Sequence, residues 1–149
     1  MDHIVDFATE ADLTAMADLL HELFTLESDF QPVRAKQLRG LQLILDTPAL
    51  GRLFVVRVDG KVAGMANALL TVSTALGAPV LLLEDVIVAR DYRGCGLGRM
   101  LVGHVCHWAQ SQGLERVTLL ADEANTAALE FYARLGFEKS TMVVRRKLL

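Results

Sequence analysis

The sequence predicts a single α/β domain built on a mixed β-sheet, and three observations lead to that prediction. The chain has 149 residues, of which 52% are hydrophobic and 22% charged, so it can bury one sizeable core. No glycine-, serine- or proline-rich linker divides it. Segments with helical spacing of apolar residues alternate with segments of strand character. We therefore expect residues 1–149 to form one domain with about four helices.

The first third of the chain predicts a short strand followed by two helices. Residues 4–8 are compatible with the strand. Thr9 and Asp12 have the spacing of a helix cap, and apolar residues follow them at helical intervals. The second helix is expected to begin at Pro32, a residue suited to a first helical turn, and to stop before Pro48.

The middle third predicts three consecutive strands. Segments 53–58 and 62–72 flank Asp59-Gly60, a dipeptide typical of the type I′ hairpin turn. The next segment, 80–88, is almost wholly apolar apart from Glu84-Asp85. Such a strand is expected to be buried on both faces, in the middle of the sheet.

The last third predicts helices and strands in alternation. A helix over about 96–111 would carry a right-handed crossover to a strand at 117–121. Asn125 is expected to cap a further helix, which Gly136 ends in a Schellman motif. Residues 142–147 are predicted to form the final strand.

Composition excludes several classes of function. The net charge of −3 argues against nucleic acid as the main partner. The apolar runs fall far short of the ~20 residues that a membrane span needs, and the first residues lack a secretory signal. Cys95 and Cys106 are too few for a disulfide framework, and no histidine or cysteine cluster has metal-ligand spacing. We expect a soluble cytoplasmic protein that binds neither membrane nor metal.

The glycine-rich segment between the strand at 80–88 and the next helix indicates phosphate binding. Glycine removes the Cβ atoms that would keep an anion away from the backbone, and a helix start presents unpaired N–H groups. Pyrophosphate suits this arrangement, with Arg93 and Arg99 placed to add charge-assisted contacts. Neither the Walker loop nor the dinucleotide fingerprint matches the spacing of Gly94, Gly96 and Gly98. A tight turn without a ligand is the alternative interpretation of the glycines alone.

Three segments, in order and properly spaced, carry a resemblance to a known family. Glu84-Asp85-Val86-Ile87-Val88 is followed by Arg93-Gly94-Cys95-Gly96-Leu97-Gly98, and Asn125, Phe131-Tyr132 and Leu135-Gly136-Phe137 come later. Over nearly the whole chain, the sequence resembles the GNAT superfamily of N-acetyltransferases. The resemblance implies the GNAT acyl-CoA N-acyltransferase fold, a mixed sheet splayed between its fourth and fifth strands with coenzyme A in the opening.

The resemblance also implies that acetyl-CoA is the co-substrate. The backbones of Val86 and Val88 would hydrogen-bond the pantetheine arm, and the Val86 N–H would polarise the thioester carbonyl. The amides of residues 94–99 would hold the pyrophosphate, while Asn125 would reach the arm from the other side of the cleft. The implied coenzyme A contacts are Val86, Ile87, Val88, Arg93, Gly94, Cys95, Gly96, Leu97, Gly98, Arg99, Asn125 and Ala128.

Acetyl transfer to an amine needs a base and an acid, for which Glu84 and Tyr132 are the candidates. Glu84 interrupts the apolar strand just before the segment expected to pair with the pantetheine arm. Asp85 points the opposite way in a regular strand, but a bulge would change which carboxylate faces inward, so Asp85 or solvent stays open as the base. Tyr132 is protonated at neutral pH and can donate to the departing thiolate; the resemblance implies that it lies near the sulfur.

The acceptor is expected to be a primary amine of a small molecule, or a protein amine, that attacks directly in a ternary complex. Acceptor contacts are expected from the connection of the first two helices: Glu27, Asp29 and Phe30. The alternative function is a non-catalytic acyl-CoA-binding regulatory module, but such a module needs neither Glu84 nor Tyr132. A homodimer formed through the sheet or the final strand is a candidate assembly.

Overall fold

The computed structural model describes residues 2–26 and 31–149, and these form five strands and four α-helices. In chain order they are β1 (His3–Phe7), α1 (Leu13–Leu26), α2 (Arg34–Asp46), β2 (Gly51–Val58), β3 (Lys61–Ser73), β4 (Ala78–Val88), α3 (Leu97–Ser111), β5 (Val117–Leu119) and α4 (Thr126–Arg134). Short 3-10 turns at Glu10–Asp12 and Arg90–Tyr92 precede α1 and α3.

The strands form one mixed sheet in the order β1-β2-β3-β4-β5. The first four are antiparallel neighbours, whereas β5 runs parallel to β4 after the crossover through α3. Asp59 and Gly60 both have positive φ angles, 48° and 81°, as the predicted type I′ turn requires. The predicted α/β class and the mixed sheet are confirmed.

Helices cover both faces of the sheet. On one face, α3 and α4 pack against alternate residues of β2, β3 and β4, around the fully buried Phe54 and Leu101. On the other face, α1 and α2 pack against the intervening residues, around Met16 and Met65. The period of two along the strands thus gives β4 two buried faces, as its apolar sequence predicts.

The start of α1 is fixed to the sheet through Asp12. The Thr9 N–H donates to Asp12 Oδ2 at 2.8 Å, as the predicted capping box requires. Arg57 of β2 donates to both carboxylate oxygens of Asp12, at 2.8 Å each. Asp12 is only 6% exposed, so this bidentate pair lies largely inside the protein.

The start of α2 and the final predicted strand differ from the structure. α2 begins at Arg34, two residues after Pro32, although it ends before Pro48 as expected. The predicted strand over 142–147 is wrong: no strand is assigned there, and Met142 and Val143 are 86% and 71% exposed. β5 pairs over three residues only, so it gives this segment no long edge on which to form a ladder.

Candidate active site

The sheet opens on the β5 side of β4. The two strands pair at three positions, from Leu81 with Val117 to Leu83 with Leu119. On its other edge, β4 stays paired with β3 as far as Val88. Residues 84–88, which include Val86 and Ile87, therefore have no strand beside them on the β5 edge among the described residues. Because buried backbone groups need partners, this edge suits an extended, amide-containing ligand arm.

The glycine-rich loop ends in an open helix N-terminus. Gly94 and Gly96 have φ angles of 77° and 81°, conformations that glycine adopts without steric cost. The first hydrogen bond of α3 runs from Met100 N to the Gly96 carbonyl at 3.1 Å, so the amides of residues 97–99 have no acceptor within the helix. A Cβ added to Gly94 or Gly96 would meet no atom within 4 Å, so the space in front of this loop is free. These features fit a diphosphate.

The two arginines of the loop differ in their contacts. The Arg93 side chain donates to the Val88 carbonyl at 2.8 Å and to Glu22 at 2.5 Å, so it connects the end of β4 to α1. Arg99 is exposed and makes no ion pair with any residue in the described part of the chain. Cys95 is exposed, with its Sγ 3.7 Å from the Arg93 carbonyl oxygen.

The second side of the opening is formed by α4. Asn125 caps this helix, as predicted, because its Oδ1 accepts from Ala128 N at 3.1 Å. Gly98 on α3 faces α4 so closely that a Cβ would lie 3.2 Å from Phe131 Cζ. The start of α3 and the first turns of α4 are therefore neighbours.

Tyr132 lies on α4 between two aromatic rings. Its ring centroid is 5.1 Å from that of Phe131 and 5.7 Å from that of Phe137. Burial against the core raises the pKa of Tyr132 to about 12, because the charged phenolate is poorly solvated there. The phenol is therefore fully protonated at neutral pH and able to donate a proton.

A bulge in β4 decides where the two carboxylates lie. Met65 pairs with Ile87 and Asn67 with Glu84, so Asp85 and Val86 together lie opposite Ala66 alone. Asp85 adopts a φ of 54°, in the left-handed region that aspartate tolerates better than most residues. Its Oδ2 accepts from Asn67 Nδ2 at 2.6 Å. Glu84 is partly buried, one residue before the bulge.

Asp85 lines a cavity of about 390 Å³ between the sheet and the first two helices. That volume is typical of a small-molecule site. Apolar side chains of α1 and α2 form most of the wall surface, and polar side chains come from α2, β3 and β4. Lining residues include Leu20, Phe24, Gln37, Leu41, Ile44, Asn67 and Asp85.

Gln37 and Asn67 were not predicted as functional residues. Asn67 had a detectable signal, a polar residue in the otherwise apolar run Met65–Leu70 of β3. Gln37 lies four residues before Leu41 on the buried side of α2, which by periodicity alone is a core position. The predicted acceptor contacts Glu27, Asp29 and Phe30 lie outside the described residues.

Neither a membrane-spanning helix nor a metal-binding cluster is found in the part of the chain that the structure describes. Within residues 2–26 and 31–149, no helix combines the length and apolar character needed to cross a membrane. The same residues contain no group of three histidine, cysteine, aspartate or glutamate side chains that could hold a metal ion.

Comparison with known proteins identifies the family. The sequence profile of the Acetyltransferase (GNAT) family matches residues 13–137. The glucosamine 6-phosphate N-acetyltransferase of Trypanosoma brucei brucei is 28% identical over 141 residues, which make up 93% of this chain and 91% of that protein. The aminoglycoside N(6')-acetyltransferase type 1 of Salmonella typhimurium (strain LT2) is 27% identical over 94 residues, 61% of this chain and 65% of that protein.

The fold is shared with a solved acetyltransferase. The aminoglycoside N-acetyltransferase AAC(6')-Iy, crystallised in complex with CoA, superimposes with a TM-score of 0.83 at 20% identity, over 99% of this chain and 95% of that one. The splayed mixed sheet predicted from the resemblance is thus confirmed. The chain belongs to the acetyltransferase (GNAT) family and is an acetyl-CoA-dependent N-acetyltransferase.

Proposed function

We propose that this enzyme acetylates the primary amine of a small polar molecule, which attacks directly in a ternary complex. The proposal rests on the position of β4, which lies between the opening toward β5 and the cavity under α1 and α2. No strand among the described residues pairs with its β5-facing edge over residues 84–88, and Asp85 of the same segment lines the cavity under α1 and α2, where the acceptor is proposed to bind. The two relatives named above act, by their names, on amino-sugar compounds of small size, which supports a small acceptor.

Acetyl-CoA supplies the activated acetyl thioester. In the proposal, the backbones of residues 86–88 bind the pantetheine arm and the amides of 97–99 bind the pyrophosphate. Arg99 adds a cation at the helix start. Asn125 accepts the capping bond through its Oδ1, so the hydrogens of its Nδ2 can donate to the arm. The carbonyl of Val88 already accepts from Arg93, so Arg93 supports the arm-binding edge.

The base is proposed to be one of the adjacent carboxylates Glu84 and Asp85. An alkyl amine with a pKa of about 10.4 is almost wholly protonated at pH 7, so attack requires removal of a proton, directly or through water. Asp85 lines the cavity itself, and Glu84 is its neighbour at the open edge. Tyr132 is proposed as the acid that protonates the departing thiolate.

A panel of amines tests the proposal. The purified protein is incubated with acetyl-CoA and single amines, and release of free thiol is measured. We expect turnover of at least one small polar amine, and little turnover by the Tyr132→Phe variant. Tight coenzyme A binding without turnover of any amine would contradict the proposal and favour a regulatory acyl-CoA-binding module.

Three expectations from the sequence stay predictions. They are the single-domain organisation of residues 1–149, a cytoplasmic location and a homodimer. Exposed apolar residues of the C-terminal segment, among them Met142 and Val144, offer a surface that a second copy would cover.

A further inference from the structure

Two buried amide side chains in the acceptor cavity have unpaired polar atoms. Gln37 is 7% exposed and Asn67 is 3% exposed. Neither the Nε2 nor the Oε1 of Gln37 has a hydrogen-bond partner among the described residues, and the same holds for the Oδ1 of Asn67. Both side chains line the one cavity, together with Asp85.

Such groups are unfavourable in the free protein. A buried amide group that is shielded from water and has no hydrogen-bond partner destabilises the folded state. Most buried polar groups in proteins are therefore hydrogen-bonded. Gln37 occupies a core-facing position of α2, next to Leu41 and Ile44 in the wall of the cavity, where methionine or leucine would pack without that cost. Its unpaired atoms are consistent with a partner that arrives as a ligand.

The side-chain atoms without hydrogen-bond partners indicate which chemical groups the ligand must carry. Gln37 Oε1 and Asn67 Oδ1 need donors, and Gln37 Nε2 needs an acceptor. Asn67 Nδ2 already donates one hydrogen to Asp85, so the atom of Asn67 that has no partner is its oxygen. A hydroxyl group both donates and accepts, so it can satisfy either amide. The apolar residues Leu20, Leu41 and Ile44 would cover the carbon skeleton.

We propose that Gln37 and Asn67 determine acceptor specificity by binding hydroxyl groups carried near the reacting amine. The preferred acceptors are then hydroxylated amines, such as amino alcohols and amino polyols, rather than plain alkyl amines. The inference rests on the proposed function, because it assigns the cavity to the acceptor. Asn67 has a second task, since its bond to Asp85 also orients that carboxylate.

The test compares amines with the same carbon skeleton, with and without hydroxyl groups: 2-amino-1,3-propanediol against isopropylamine, and 2-aminocyclohexanol against cyclohexylamine. The ratio of kcat/KM values within each pair is the readout. Gln37→Met keeps the size of the side chain but removes both polar atoms, and we expect it to lower this ratio by about 10- to 100-fold, mainly through KM for the hydroxylated amine. Asn67 is a poorer first target because its replacement would also release Asp85.

Gln42→Met is the matched control. Gln42 lies on the same helix, but its Nε2 donates to Glu10 at 3.0 Å and to Asp46 at 2.9 Å, and it does not line the acceptor cavity. We expect Gln42→Met to leave the preference for hydroxylated amines unchanged. An unchanged ratio in Gln37→Met, an equal loss in Gln42→Met, or a wild-type enzyme without preference for the hydroxylated partner would overturn the inference.

Thermal unfolding gives a readout that does not depend on turnover. Because Gln37→Met removes unpaired buried atoms, the free variant should melt no lower than wild type, whereas Gln42→Met should melt lower. In the presence of coenzyme A, 2-amino-1,3-propanediol should raise the Tm of wild type but not of Gln37→Met. Equal Tm shifts in wild type and Gln37→Met would overturn the inference. Absence of turnover with every amine would overturn the proposed function instead, so the two failures are distinguishable.

Discussion

The phenol of Tyr132 combines two properties that a proton donor needs. It is surrounded by Phe131 and Phe137, and burial raises its pKa to about 12. The raised pKa means that the neutral form persists well above neutral pH, so loss of this proton should not lower the rate below about pH 11.

Replacing Tyr132 with phenylalanine tests the role of the hydroxyl alone. The ring contacts are retained, so we expect coenzyme A affinity to change little. The value of kcat should fall by about 100-fold, the lower end of typical contributions from acid–base groups. Steady-state kinetics and calorimetric titration with coenzyme A separate the two quantities. An unchanged kcat would assign Tyr132 to the core only.

The adjacent carboxylates are separated by a pair of isosteric variants, Glu84→Gln and Asp85→Asn. The variant that removes the base should lose at least about 100-fold in kcat/KM near pH 7. It should recover part of that loss at alkaline pH, where the amine is neutral without help. The pH–rate profiles of both variants and wild type provide the measurement. Wild-type rates in both would identify solvent as the base.

Individual residues also show how much of the candidate site could be predicted from the sequence. Glu84 and Asp85 were identified from their position in an apolar strand, because charged side chains in a buried strand are unfavourable unless they have a structural or functional role. Which of them faces the acceptor depends on the bulge opposite Ala66, and alternation along a sequence contains no information on an extra residue in the register. Gln37 was missed for a related reason: helical periodicity predicts its burial but not the cavity beside it.

At the scale of elements, the start of α3 is the proposed phosphate site. Gly96→Glu places a carboxylate where the diphosphate would bind, and we expect coenzyme A affinity to fall by more than about 100-fold. Gly60→Glu is the control. Gly60 has the same φ of 81° and the same open surroundings, but it lies in the β2–β3 turn.

Both glycine variants should lose similar stability, because a side chain is strained at this backbone angle by roughly 1–2 kcal/mol. Titration calorimetry with coenzyme A then isolates the electrostatic and steric effect at the loop. Retained micromolar affinity in Gly96→Glu, or an equal loss in Gly60→Glu, would remove the loop from the binding site.

The attachment of α1 to the sheet predicts a pH dependence of stability. Arg57 holds the pKa of Asp12 below its usual value, mainly through their hydrogen bonds. A carboxyl whose pKa is lower in the folded state stabilises the fold above its unfolded pKa of about 3.9, and this stabilisation disappears as the pH falls through the lower folded value.

Asp12→Asn should therefore flatten the acid limb of the stability curve and cost about 3 kcal/mol at pH 7, because it leaves Arg57 without its buried partner. Asp18→Asn breaks the 2.7 Å pair with Arg34, whose side chains are 67% and 48% exposed, and should change stability by at most about 1 kcal/mol. Urea unfolding at several pH values measures both. Equal effects of the two substitutions would contradict the assignment.

For the whole molecule, local signals predicted the order of elements correctly up to α4. Caps, the Asp59-Gly60 turn and the Schellman motif at Gly136 act over a few residues, so sequence contains them. The prediction of a strand over 142–147 was wrong because an extended segment becomes a strand only when a neighbouring strand edge pairs with it. Pairing between β4 and β5 stops after Leu83, and that is a property of the tertiary fold.

The opening of the sheet beside residues 84–88 is the feature on which the catalytic account depends, and a crystal structure with bound coenzyme A tests it most directly. We expect diphosphate oxygens within hydrogen-bond distance of the amides of residues 97–99, and a pantetheine arm along β4 between β4 and β5. A coenzyme bound elsewhere, or an opening closed by the protein's own backbone, would contradict it.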